Sequence, residues 1–117
     1  MTKEQIDLSR RVVVSPGWRW LPGMRAVGRR SFPKAWFRLE ESTPSLMGDW
    51  AVALPDLTDP ATLGCVLALV REAWGDPYLC CVGDREGWRL DGYAAVENFH
   101  SYPSEAEALV AALGSAP

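Results

Sequence analysis

The residues best suited to chemistry lie in the first third of the chain. Arg19, Arg25, Arg29, Arg30, Lys34 and Arg38 interleave with Trp18, Trp20, Phe32, Trp36 and Phe37, the mixture with which proteins follow a phosphate backbone and stack on bases. From Met1 to Leu39 nine lysines and arginines stand against two acids, a net +7; from Glu40 onward three bases stand against thirteen acids, a net −10. The overall charge of −3 hides that division. Two binding chemistries follow from it. Arg25, Arg29, Arg30, Lys34 and Arg38 are the candidates for a nucleic-acid surface. Glu40, Glu41, Asp49, Asp84 and Glu86, in or beside turns, are the candidates for an acidic patch that attracts a basic groove on another protein. A third arrangement sets the basic third against the acidic remainder in surface ion pairs, each worth little.

Catalytic constellations are sparse. Nucleophilic catalysis of the serine or cysteine type usually needs a histidine, and His100 is the single one in the sequence. No nucleophile elbow, phosphate loop, dinucleotide fingerprint or H-E-x-x-H is present. Carboxylates adjoin at Glu40 and Glu41 and flank a helix start at Asp56 and Asp59, where turn and cap chemistry already accounts for them. Cys80 and Cys81 are neighbours whose side chains point to opposite faces of a strand, and Cys65 sits in a helical pattern. These spacings suit neither a disulfide framework nor a zinc site, and three reduced, mostly buried thiols are expected. No enzymatic activity, cofactor or metal is therefore expected.

The elements that must position these residues are legible in part. Thr2 and Gln5 form a capping box for a short helix running to about Arg11, although Arg11 to Val14, with three β-branched residues in a row, suits an extended segment equally. Trp18 to Trp20 reads as the start of a strand with the tryptophans inward and Arg19 outward. Leu21-Pro22-Gly23 is a turn, and Met24 to Val27 the returning strand. Ala35 to Leu39 and Trp50 to Leu54 are two further strands.

Asp59 is an N-cap with Pro60 in the first helical position, which predicts a helix from Pro60 to Trp74 stopped by Gly75. Leu63, Val66, Leu67, Val70 and Trp74 form one face, widened by Cys65, Ala68, Leu69 and Ala73, so this helix is expected at the centre of the fold. Gly64 within it implies a close backbone approach by another element. Tyr78 to Val82 reads as a buried strand, Asp84 to Gly87 as a hairpin loop, and Trp88 to Leu90 as its return. Tyr93 to Phe99 is one more extended segment. A second capping box at Ser104 and Glu107 begins a helix that buries Ala106, Leu109, Val110 and Leu113 and ends at Gly114.

The expected fold is a single α+β domain over residues 1–117: an antiparallel sheet of about five or six strands, with a central buried helix and a C-terminal helix packed on one face. Apolar content is 48% and charged content 23%, ordinary values that argue against a disordered chain. No apolar run approaches a membrane span, and the amino terminus lacks a signal-peptide pattern, so a cytoplasmic protein is expected.

"LPDLTDPATLGCVLALVREAWGDP", Leu54 to Pro77, together with "GWRWLPGM", Gly17 to Met24, and the closing "EAEALVAAL" resembles a group of small uncharacterised proteins encoded by bacteriophages and prophages. The resemblance implies a setting rather than an activity. Small phage accessory proteins frequently act by stoichiometric binding to host machinery, including inhibition of CRISPR effectors and other defence systems. It implies a non-enzymatic partner of a host protein, such as a nucleic-acid-binding defence complex, with direct nucleic-acid binding as the alternative.

Overall fold

A computed structural model describes residues 2–28, 36–40, 53–92 and 100–117. Its first helix, α1, spans Lys3–Val13. Thr2 accepts the backbone N–H of Gln5, and the Gln5 side chain accepts that of Thr2, so the capping box forms on both sides. The β-branched residues Val12 and Val13 continue the helix, which settles the open choice between helix and extended chain for that stretch. Val12 is fully buried there, and tertiary burial overrides a propensity difference of a few tenths of a kcal/mol.

The second helix, α2, spans Pro60–Trp74, with the predicted bounds, the Asp59 cap and Gly75 in the left-handed conformation at φ 65°. The third, α3, spans Glu105–Gly114. Ser104 accepts the Glu107 backbone N–H, as expected, but its hydroxyl donates to the Glu107 carboxylate at 2.9 Å. The second box is thus closed through the hydroxyl.

The strands correct the expected sheet. β1 (Arg25–Val27) lies between β2 (Trp36–Arg38) and β3 (Leu54–Pro55), all antiparallel, and β4 (Cys80–Asp84) pairs with β5 (Gly87–Asp91) in a separate hairpin. Among the described residues there are two small sheets, not one sheet of five or six strands. Two physical reasons are visible. β3 is only two residues long and ends in Pro55, which has no N–H for a ladder. Beyond β5, Tyr102 exchanges both backbone hydrogen bonds with Trp88 at 2.8 Å. That position of the hairpin is therefore filled from the approach to α3 rather than by the other sheet. The expected segment Tyr93 to Phe99 lies outside the described residues.

α3 packs against α1, α2, β4 and β5. Leu109 and Leu113 are almost fully buried, with Ala108 and Val110 beside them, while Ala106 is half-buried. α2 buries Thr62, Val66, Leu69 and Val70, and leaves Gly64 and Ala68 exposed. A Cβ on Gly64 would meet nothing within 4 Å, so the inferred close approach does not occur there. It occurs at Gly17, where a Cβ would lie 2.9 Å from Leu113 Cδ1 and 3.4 Å from Ala73 Cβ.

Trp18 to Trp20 is not a strand. It follows a turn closed by the Trp18 N–H on the Ser15 carbonyl and is itself irregular chain, and the two indoles meet edge to face, 5.3 Å apart at 74°. Both are half-buried against the core and Arg19 is outward, so the partition of side chains survives without the strand. The Leu21-Pro22-Gly23-Met24 turn forms, closed by the Met24 N–H on the Leu21 carbonyl. Tyr78 is 74% exposed, outside the strand in which it was expected.

Candidate interaction surface

β1 and β2 pair in a register that sets Arg25 directly opposite Arg38. Like charges so placed destabilise a sheet unless each is answered. Both are answered by the loop that leads into α2. Arg38 grips Asp59 with both arms of its guanidinium, Nη1 to Oδ2 at 2.8 Å and Nη2 to Oδ1 at 2.9 Å, and Nη1 also donates to the Gly23 carbonyl at 2.7 Å. Asp59 simultaneously accepts the Thr62 backbone N–H at 3.0 Å and the Thr62 hydroxyl at 2.8 Å. The Thr62 oxygen in turn accepts the Arg25 backbone N–H at 2.8 Å. Arg25 Nε stands 3.4 Å from Asp56 Oδ2, and Asp56 accepts both the N–H and the hydroxyl of Thr58.

These contacts join the turn at Gly23, two strands and the start of α2 in one polar network. The hydrogen bonds from Arg38, then those from Thr62, hold the Asp59 carboxyl well below the usual carboxylate range against the opposing effect of burial.

Two of the five nucleic-acid candidates, Arg25 and Arg38, are therefore committed to Asp56 and Asp59. Arg19 likewise pairs with Glu72 at 2.6 Å. At Arg19, Arg25 and Arg38 the basic third and the acidic remainder interlock. Arg29, Arg30 and Lys34 lie outside the described residues.

Of the acidic candidates, Glu40 is exposed just beyond β2 and Glu86 is exposed in the hairpin turn. Asp84 is exposed but employed: it accepts the Glu86 N–H at 2.8 Å and pairs with Arg89, and these contacts lower its pKa. Glu41 and Asp49 lie outside the described residues. The structure does not gather Glu40 and the hairpin acids on one element. His100 is exposed.

A concavity that sequence reasoning missed lies where the amino-terminal turns of α1 and α3 meet the Leu57–Thr58 loop. It has a volume of about 330 Å³. Leu8, Leu57, Ala106, Glu4 and Glu107 are among the residues that line it. The two S/T-x-x-Q/E motifs mark these helix starts in the sequence, but nothing in either says that the starts converge.

The three cysteines are free, half-buried thiols. Burial pushes Cys81 up to about 11 and raises Cys65 as well, which makes both poor nucleophiles. Among the described residues no group of three or more histidines, cysteines or acids is placed to hold a metal ion, and no helix is long and apolar enough to cross a membrane.

Comparison with protein-family models, with curated proteins and with solved structures finds no significant match to this chain.

Proposed function

We propose that the chain is a non-enzymatic protein that acts in the bacterial cytoplasm by binding a host protein. Its setting is that of the phage and prophage proteins it resembles, and its target a nucleic-acid-binding defence complex such as a CRISPR effector. The observation that carries this reading over its rival is the bidentate hold of Asp59 on Arg38. A guanidinium whose two arms are already bound to a carboxylate and a carbonyl is a poor phosphate ligand. Trp18 and Trp20, packed on each other and on the core, are not splayed to receive bases. The exposed acids Glu40 and Glu86 remain free to face a basic groove.

The test has two arms. Gel-shift titrations with single- and double-stranded DNA and with RNA, run from low to physiological salt, are expected to show no salt-steep complex; a steep one transfers the function to the nucleic-acid reading. Capture of defence complexes from a bacterial lysate is then repeated with Glu40, Glu41, Asp49 and Glu86 reversed to lysine, folding being checked by circular dichroism. Capture should be lost, and undiminished capture sinks the acidic-patch reading. Asp84 is left intact because it holds the hairpin turn.

A further inference from the structure

We propose that β4 is an interface strand whose open edge pairs antiparallel with β4 of a second copy of this chain, joining two hairpins into one continuous sheet. The pairing goes beyond the host-binding reading and does not depend on it. The Trp88 N–H and carbonyl face away from β4, because both bond to Tyr102. Residues directly opposite one another in an antiparallel pair turn their backbone groups both inward or both outward, alternating along the ladder. Gly83, opposite Trp88, and Cys81, opposite Leu90, therefore turn their N–H and carbonyl groups outward on the far edge. Among the described residues no backbone bond meets them there.

An exposed strand edge is ordinarily blunted by proline, by charge or by a cover. The other edge of the hairpin is covered at Trp88 by Tyr102, and β3 ends in Pro55. From Cys80 to Gly83 the β4 edge has neither proline nor charge, and its register with β5 contains no bulge.

A second copy fits this edge residue by residue. With Val82 on the symmetry axis, Cys81 of each copy exchanges both backbone bonds with Gly83 of the other, so every outward group is answered. Cys81, packed against the core, then faces a residue without a side chain. The Trp88 indole already lies over Gly83, 3.0 Å from where a Cβ would stand, which keeps that position small. On the opposite face of the sheet Val82 meets Val82. The two Asp84 carboxylates fall at opposite ends of the paired segment, about 14 Å apart along the strands, and each is answered by its own Arg89. A register centred on Gly83 would halve that separation and leave the Cys81 groups opposite a turn.

Sedimentation equilibrium of the full chain under reducing conditions, over rising concentration, should show a monomer–dimer equilibrium. Val82→Lys sets two ammonium groups opposite each other at the axis and should weaken the dimer about tenfold or more. Val82→Thr, uncharged and β-branched, should retain it. Circular dichroism checks the fold of both. Disulfide trapping reads the register in a Cys65→Ser, Cys80→Ser, Cys81→Ser background. There Val82→Cys faces its own copy across a pair with Cα atoms about 4.5 Å apart and should crosslink rapidly under mild oxidation. Asp91→Cys, on the same face but on β5, should not.

A chain that sediments as a monomer at every concentration, a dimer indifferent to Val82→Lys, or equal crosslinking from the two cysteine variants overturns the proposal. So does a monomeric chain whose capture of a host protein is lost with Val82→Lys, which assigns the edge to that partner instead.

Discussion

Arg38 and Asp59, twenty-one positions apart in the chain, meet fork to fork at 2.8 and 2.9 Å, and the same carboxylate caps α2 through Thr62. One acid thus serves a strand and a helix at once. Its side chain is 8% exposed, whereas that of Arg38 is 42% exposed, so the pair sits at the boundary of the core with its cation toward water.

Asp59→Ala removes the helix cap and leaves the Thr62 hydroxyl and the Arg38 guanidinium without their common acceptor. A loss of about 2 kcal/mol is expected in urea unfolding, the cap alone accounting for about 1. Arg38→Lys keeps the charge but cannot make the two-armed contact, and should cost less than Asp59→Ala. Equal costs for the two variants would show that the cap contributes nothing.

Acid should weaken the fold through the same group. The folded-state pKa of Asp59 is depressed by its hydrogen bonds from Arg38 and Thr62, so its contribution is fully present above the unfolded value of about 3.9 and is lost as pH falls toward the folded one. Unfolding free energy followed from pH 6 downward should therefore decline below about pH 4. Asp59→Asn should flatten that decline, leaving the smaller contribution of the exposed Asp84. An unchanged slope in the variant removes Asp59 from the acid response.

Two glycines should respond in opposite directions. Gly64 is helical, exposed and uncrowded, so Gly64→Ala should stabilise by about 1 kcal/mol. Gly87 opens β5 with φ 125°, and a Cβ there would lie 2.5 Å from the Tyr102 carbonyl oxygen. Gly87→Ala should destabilise by more than about 1 kcal/mol and loosen the Trp88 to Tyr102 bridge. Thermal melts of both variants decide the pair of signs.

Thiol labelling should report the burial of Cys81. In the Cys65→Ser, Cys80→Ser background, its reaction with an aromatic disulfide reagent should be slow at pH 8 and still rising with pH above 9, because burial holds its pKa near 11. A rate that levels off near pH 9 would place the thiol in water.

How much was legible follows from the range of each interaction. The Thr2, Asp59 and Ser104 caps and the Gly75 stop are contacts within a few residues, and the helices they announce are present. The strand expected at Trp18 to Trp20 failed because an aromatic alternation is satisfied equally by an irregular segment between two turns that lets two indoles pack on each other. Thr62, a polar residue in a largely apolar helix, is fully buried because Asp59 and Arg25 consume its hydrogen-bonding capacity. Charge counting exposed the asymmetry of the two segments, but no local pattern pairs Arg25 with Asp56 or Arg38 with Asp59.

By itself the sequence determined the three helices and their caps, the Pro-Gly turn, the position of the hairpin and the opposition of a basic to an acidic segment. The helices and turns are written in hydrogen bonds or periodicities spanning no more than one helix, and the charge division is a count along the chain. Only the tertiary structure decided that the described strands divide into two sheets, that α3 packs on α1, α2 and the hairpin, and that the starts of α1 and α3 meet at a cleft. Those outcomes depend on which distant surfaces bury each other, and apolar burial is non-directional and has no sequence spacing to announce it.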